Sequence, residues 1–289
     1  MTNKKIRFTL LDAVLASLIL AAVIFIVHRV GVEMRYRWQW PVILQYLVRA
    51  DGGDWTAGTL MQGFLTTVKL SLWATVLATF LGTLMGLFRV SDGLFYRLIA
   101  GSYVETVRNL PPLVLVFIVY FFIGERIMTL FGAEHLVRAA SPEAQKFLAI
   151  LFAPPARLSG FFAGLATLIL YEAAYITEIV RAGIESIEKG QWEAAHALGL
   201  SRWQQLRYVI LPQALQRTLP ALAGQLISTI KDSAIVSVIS IPELTFRGLE
   251  LMSATYLTFE VWITITALYF LLTFTCSLGV KRLETVWQR

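Results

Sequence analysis

Apolar residues occupy this chain in long blocks, near Leu10 to Val27, Leu70 to Phe88, Leu98 to Ile123, Leu158 to Val180, Ala214 to Ile241 and Phe259 to Val280, with polar stretches between them. A helix needs about 20 apolar residues to cross the hydrocarbon core of a bilayer. In lipid, moreover, every backbone donor and acceptor must be satisfied internally. Each block therefore predicts a membrane-crossing α-helix, and the expected fold is an all-α membrane protein with about six transmembrane helices.

Proline and glycine refine that pattern. Pro111-Pro112 falls early in the third block and Pro220 inside the fifth. Proline lacks a backbone donor, so each is expected to kink or break its helix, and broken helices can line a pathway. Gly82 with Gly86 and Gly160 with Gly164 have the small-xxx-small spacing that lets helix backbones approach closely. Packing within the chain is the expected use.

Between the first two blocks, Arg35, Trp38, Trp40, Pro41, Asp51, Gly52, Gly53, Asp54 and Trp55 read as an outer loop along the headgroups. A second outer segment, 124–157, carries Gly132, Pro142, Pro154 and Pro155 around a short amphipathic stretch, Glu143 to Phe152. No Ser/Gly linker divides the chain. It reads as an N-terminal helix with an outer loop, residues 1–57, followed by one membrane domain, residues 58–289.

With 57% hydrophobic and 15% charged residues among 289, and a mean hydropathy of +0.66, the composition excludes an ordinary soluble domain. Lys4, Lys5 and Arg7 precede the first block, but its apolar run exceeds a cleaved signal region and ends at His28-Arg29 without a small-residue cleavage site. An uncleaved anchor is expected. The formal charge of +6 does not point to nucleic acid, because basic residues are spread over every loop. With the N-terminus inside, thirteen Lys and Arg fall on inner segments and nine on outer ones, which places both termini in the cytoplasm.

Cys276 is single and lies inside the last block, so neither a disulfide nor a thiolate metal site is expected. His28, His135 and His196 are far apart and form no metal or general-base constellation. A G-x-x-x-x-G-K-[ST] phosphate loop is absent from the sequence. No catalytic or metal-binding residues are therefore expected, and a membrane-embedded enzyme is disfavoured.

The polar island from Gly190 to Pro212 carries the most specific pattern. Glu193-Ala194-Ala195-His196-Ala197-Leu198 is rich in helix formers, and its alanines leave a smooth face for another protein. A turn follows at Gly199, and Ser201 with Gln204 forms a capping-box pattern opening a second helix, expected to end at Pro212. Two short helices at an angle make a knob that fits a partner's groove. Trp192, Trp203 and Tyr208 would equally suit a hairpin lying on the inner leaflet.

The full spacing, Glu193-Ala194-Ala195, Gly199, Val209 and Leu211-Pro212, resembles the cytoplasmic coupling loop of ABC importer permeases, with valine at 209 where isoleucine is preferred. The likeness extends through Tyr103 to Leu113, Ala174 to Ile184 and Lys231-Asp232-Ser233, which resemble permeases for polar amino acids. Arg108-Asn109-Leu110-Pro111 stands where Arg-Gly-Thr-Pro is common, and Ser233-Ala234 where Thr-Ser is usual.

This resemblance implies a type I ABC importer permease: a five-helix core like that of the methionine importer, an added N-terminal helix, and a coupling loop over residues 185–212. It implies a bacterial inner-membrane location, a second permease subunit, identical or related, and an extracytoplasmic solute-binding protein. It also implies a cytoplasmic ATPase dimer, with ATP and Mg bound by that partner and no cofactor in this chain. Glu193, Ala194, Ala195, Gly199, Leu211 and Pro212 are the implied coupling residues.

Charges inside a bilayer are costly and mark a pathway or a buried pair. Glu105 and Arg108 can pair on one helix face or line a pathway, and Glu178 with Arg181 reads as a structural pair near the end of the fourth block. Glu172 lies deeper, has no partner at helical spacing, and is expected to face a polar cavity. Lys231 and Asp232 are about 100° apart on a helix, so one of them is expected to reach a neighbouring helix or the substrate route. Lys69 is expected to snorkel to water. Such charges also fit an ion-coupled secondary transporter, the alternative reading, which would normally carry an inverted repeat and no docking knob.

Overall fold

The computed structural model describes residues 10–33, 36–51, 54–124 and 140–287. Lys4, Lys5, Arg7, Arg35, Gly52, Gly53, Arg126, Gly132, His135, Arg138 and Arg289 lie outside them. The chain divides into two compact units, residues 1–44 and 45–289. In the first, α1 (Leu10–Glu33) exposes its apolar side chains from Leu10 to Val27, as a helix surrounded by lipid requires. The next helix, α2 (Trp40–Leu47), leads to a small antiparallel hairpin, β1 (Val48–Asp51) and β2 (Asp54–Ala57), with Val48 opposite Ala57 and Arg49 opposite Thr56. The sequence pattern anticipated only loop there.

The body of the second unit is helical: α3 (Thr59–Arg89), α4 (Leu94–Asn109), α5 (Pro112–Ile118) continuing into a π turn (Val119–Gly124), α6 (Pro142–Leu151), α7 (Leu158–Glu185), α8 (Lys189–Ala197), α9 (Leu211–Asp232), α10 (Leu244–Thr255) and α11 (Thr258–Trp287). Among the described residues five helical stretches, α1 included, have the length and composition to cross a membrane. The bent pair α4–α5 makes six if counted as one span.

The centre of this unit is the packing of α3 against α7. In lipid the tails are as apolar as leucine, so helices associate through close fit rather than apolar burial. A Cβ built on Gly82 would lie 2.6 Å from Ile176 Cγ2 and 2.9 Å from the Ala173 carbonyl oxygen, and one on Gly86 would lie 2.7 Å from Val180 Cγ1. Gly164 faces Ile241 in the same way, at 3.2 Å. These glycines serve packing within the chain. Around the seam, Leu70, Ala74, Phe161, Leu165, Leu168 and Val236 form one buried cluster and Ala78, Ala173, Ile176, Val180, Ile184 and Ile210 another.

Prolines act differently at their several positions. A residue before proline is pushed to extended backbone. Leu110 and Pro111 both precede one, with ψ of 141° and 131°. The chain is consequently bent by 116° between the two arms. Pro220, by contrast, sits inside a continuous α9. Pro212 does not end its helix either: a π turn, Gln205–Ile210, runs directly into α9, with Pro212 in its first turn. The first turn of an α-segment needs no donor, so proline is accepted there.

Two further elements were missed. After α9 a 3₁₀ segment, Ser233–Ile239, stops at Ser240 in the left-handed region, φ 60°, and α10 follows. Its N-cap is Glu243, fully buried, which accepts from the Thr245 and Phe246 amides, Tyr269 OH and Thr67 Oγ1, and so joins α3, α10 and α11. α6, anticipated as the amphipathic stretch, is capped by Ser141 and opens on Pro142. Because α3 begins well before Leu70, Lys69 lies inside it and does not snorkel. Its ammonium donates to the Ala149 carbonyl at 2.8 Å, and Trp73 Nε1 donates to Leu151 at 3.1 Å, so both satisfy the open C-terminal end of α6.

Gly82→Ala should cost about 1–3 kcal/mol by overpacking the α3–α7 seam. This is read as a lower midpoint of thermal unfolding in detergent. Gly279→Ala in α11, where an added Cβ meets nothing, should leave the midpoint unchanged or raise it.

Candidate functional site

The polar island folds as a helical hairpin. Beyond α7, Ser186 to Glu188 lead into α8, whose Ala195 is buried while Glu193 and Ala194 are exposed. Gly199 adopts φ +75°, a left-handed conformation that favours glycine, although no atom lies near its missing Cβ. The constraint is conformational, not a close contact. Ser201 Oγ accepts from the Gln204 amide, and Gln204 Oε1 accepts from the Ser201 amide at 2.8 Å, completing the expected capping box.

Gln205, which sequence reasoning passed over, holds the turn shut. It is buried, donates to the Leu200 carbonyl at 2.7 Å, and lies 3.5 Å from His196 Nδ1. A polar residue next to an evident cap was its only signal. Leu211 and Pro212 are placed where the π turn becomes α9, so the hairpin continues into a span without a break.

Polar contacts join this hairpin to the helices above it. Arg217 on α9 donates to the Ser186 carbonyl, and Gln213 donates to Gln191 at 3.2 Å. Arg202 ion-pairs with Asp92 at 3.5 Å and stacks over the Trp192 ring at 4.3 Å. Just above, Glu178 accepts from Arg181 at 2.7 and 2.9 Å and from Arg89 at 3.1 Å, which ties α7 to the end of α3. The Glu178–Arg181 pair is as the spacing indicated, and Arg89 is the unforeseen third member.

Deeper in the spans, Glu172 is fully buried. It has a partner that helical spacing within α7 could not reveal: Gln225 on α9 donates to its Oε2 at 2.6 Å. Its Oε1 has no hydrogen-bond donor among the described residues, and its charged neighbour is Asp232, also on α9. Asp232 thus reaches the neighbouring helix, while Lys231 is exposed.

Gln225 also lines a cavity of about 670 Å³, with Arg108, Tyr175, Glu178, Arg181 and Arg217. Glu105 and Arg108 do not pair. The Glu105 carboxylate accepts from Asn109 at 3.2 Å, whereas the Arg108 guanidinium lies 5.4 Å from the Tyr175 ring centroid. The structure therefore places Arg108 and Glu178 on the cavity wall and the Glu172–Asp232 pair beside Gln225, while Arg108, Glu105 and Lys231 are exposed. The arrangement presents the Arg108 guanidinium to the cavity and holds the buried Glu172 carboxylate beside it, linked through Gln225; among the described residues no group of His, Cys, Asp and Glu is placed to hold a metal.

Residues 78–285, the hairpin included, match the family described as binding-protein-dependent transport system inner membrane component. The chain belongs to that family. It is 34% identical over 240 residues to the glutamine transport system permease protein GlnP of Escherichia coli K12, covering 80% of this chain and 96% of that protein. It is 32% identical over 224 residues to the probable glutamine ABC transporter permease protein GlnM of Bacillus subtilis 168, covering 78% and 91%.

A crystal structure of an amino acid ABC transporter with histidines superposes with a TM-score of 0.66 at 31% identity, covering 86% of this chain and 99% of that one. The inward-facing MetNI methionine ABC transporter superposes with a TM-score of 0.60 over 80% and 97%, and at 20% identity shows the fold alone. The chain is thus a multi-pass inner-membrane permease with the type I importer fold. Membership in a binding-protein-dependent transport family decides against the ion-coupled alternative.

Glu178→Gln should leave the half-buried Arg89 guanidinium without a carboxylate and Arg181 with Glu185 alone, at a cost of about 1–3 kcal/mol. Glu185→Gln, which removes a carboxylate that is 54% exposed, should cost under about 1 kcal/mol. Thermal unfolding of both variants in detergent checks the order.

Proposed function

We propose that this permease forms half of the translocation path of an ATP-driven importer for polar amino acids. The observation that carries the reading is the exposed hairpin that continues without a break into a span. A stiff connection of that kind transmits displacement, whereas a flexible loop would absorb it. The glutamine permeases and the amino acid transporter to which the chain is similar support the substrate class.

In this reading residues 58–289 are the permease domain, residues 1–57 an added anchor and outer loop, and both termini face the cytoplasm. A cytoplasmic ATPase dimer binds ATP and Mg and receives Glu193, Ala194, Ala195 and Gly199 in a groove, while Leu211 and Pro212 pass its movement to α9. A second permease subunit completes the path and an extracytoplasmic binding protein delivers the solute. When the ATPase dimer closes, the two hairpins are drawn together, and α7 and α9 rotate as levers toward an outward-open state. This chain performs no covalent chemistry; hydrolysis belongs to the partner.

The solute passes the cavity between α7 and α9. A free amino acid carries an ammonium and a carboxylate, and the two must be neutralised separately in a medium of low dielectric. Arg108, held over Tyr175 on the cavity wall, receives the carboxylate, and Glu172 and Asp232, set side by side and joined to that wall through Gln225, attract the ammonium. Glu178 lines the same cavity but is already answered by two arginines, and Glu105 and Lys231, exposed beyond its lining, act as approach charges.

The test is uptake into proteoliposomes holding the permease with its ATPase and binding protein. ATP-dependent uptake is expected. Gly199→Asn, which tolerates the left-handed turn, should retain ATPase association, and Gly199→Val should lose it along with at least tenfold of uptake. Uptake driven by a proton gradient without ATP, or full association and uptake in Gly199→Val, would overturn the reading. For the path, Glu172→Gln, Asp232→Asn and Arg108→Gln should each lower uptake about tenfold with ATPase association intact; unchanged uptake in all three removes the cavity from the route.

A further inference from the structure

Between the hairpin and the α3–α4 turn lies a second cleft, of about 290 Å³, for which transport supplies no occupant. Its walls come from four places: Arg89, Ser91 and Asp92 at the end of α3, Arg97 in the first turn of α4, Glu185 at the end of α7, and Trp192 with Arg202 from the hairpin. Three guanidinium groups therefore face two carboxylates. Glu185 is engaged by Arg181. Asp92 meets Arg202 only at 3.5 Å, with both side chains more than half exposed, so that pair is weak.

Arg89 Nη2 is taken by Glu178, but its Nε is buried with no hydrogen-bond partner among the described residues. Arg97 is exposed. Its helix opens after Gly93 with no side-chain cap, so the unpaired backbone donors of that first turn add to the positive end.

Beside this cleft α4 presents an apolar strip to the outside, with Leu94, Phe95, Leu98 and Ile99 exposed by 61, 69, 58 and 43%. On a membrane span such a strip meets acyl chains. A positively charged recess at the end of the spans, opening next to a lipid-facing strip, has the shape and charge of a site for an amphiphile with an anionic head. A soluble anion would use the recess but not the strip. A zwitterionic lipid would use the strip but bring a cation to the arginines.

We infer that this cleft binds the phosphate of an anionic phospholipid, with its acyl chains lying along α4. Arg97 and Arg202 are its main donors, because a guanidinium offers a planar fork that matches phosphate oxygens. The face of Arg202 rests on Trp192, which leaves its edge for the anion. Since Arg202 opens the second helix of the hairpin and Arg97 opens α4, a bound phosphate clamps the hairpin to the α3–α4 turn. Membrane charge thereby acts on the element that meets the ATPase.

The inference rests on the membrane reading of α3, α4 and α7. It is tested without transport, so its failure leaves the importer reading standing. The full chain, with its co-purifying subunits, is extracted from membranes containing phosphatidylglycerol and washed in detergent, and retained phospholipid is measured by mass spectrometry. Wild type should retain phosphatidylglycerol over phosphatidylcholine. Arg97→Gln with Arg202→Gln should retain at least threefold less, the corresponding lysine pair should retain more than the glutamine pair, and Lys189→Gln with Arg207→Gln elsewhere on the hairpin should match wild type.

Thermal unfolding checks that each protein is folded, and Arg97→Gln alone replaces a double variant that is not. Equal retention in the glutamine pair, or an equal loss in the Lys189 and Arg207 pair, would overturn the site. Displacement of the lipid from wild type by millimolar inorganic phosphate would overturn the lipid assignment in favour of a soluble anion.

Discussion

The close approach of α3 and α7 is the constraint from which the rest of this permease follows. Lipid provides no hydrophobic drive for helices to associate, so the seam depends on backbones coming near enough for many weak contacts. Gly82 and Gly86 permit that approach, and the β-branched Ile176 and Val180 fill the space their missing side chains leave. β-Branched residues have few rotamers in a helix, so little entropy is lost on packing. With α7 fixed in this way, Glu172, Tyr175, Glu178 and Arg181 have determined positions, and α9 packs across them.

In the proposed coupling role the same rigidity gives the hairpin its use. A knob is useful for coupling only if force at its tip reaches the spans, and two features ensure that it does. Gln205 and the capping box lock the turn around Gly199, and the π turn before Pro212 lets the second hairpin helix run on into α9. Arg217 to Ser186 and Gln213 to Gln191 then brace the entry and exit of the hairpin against each other. Displacement at Glu193 is thereby shared between α7 and α9.

The spans, the hairpin and its cap were legible in the sequence because each rests on a local rule: block length, the left-handed turn at Gly199, and the reciprocal bonds of Ser201 and Gln204. What escaped depends on partners distant in the chain. Lys69 read as a snorkelling residue because nothing near it signals that the open end of α6, some eighty residues later, would be placed above it. Gln225 was invisible as the partner of Glu172 for the same reason. Pro212 misled in another way: proline was given its usual role as a helix stop, and a change of helical register beside it removed the conflict. α10 was missed because a short helix between two spans has neither the length nor the periodicity to stand out.

Two buried carboxylates show how an intramembrane charge can be assigned a role from its partners. Glu243 and Glu172 are equally inaccessible, and burial alone does not separate them. Glu243 receives two backbone amides and two hydroxyl groups, so its oxygens are answered and it acts as the joint of α3, α10 and α11. Glu172 receives the Gln225 amide, has Thr229 and the Asp232 carboxyl alongside, and keeps its Oε1 without a donor at hydrogen-bond distance among the described residues. A site optimised for stability would not leave that oxygen unanswered or add like charge to it, since each is costly where water is absent. Their retention beside Gln225, which lines the cavity, is understandable if a passing cationic group answers both, and on this ground the proposed path takes in Glu172 and not Glu243.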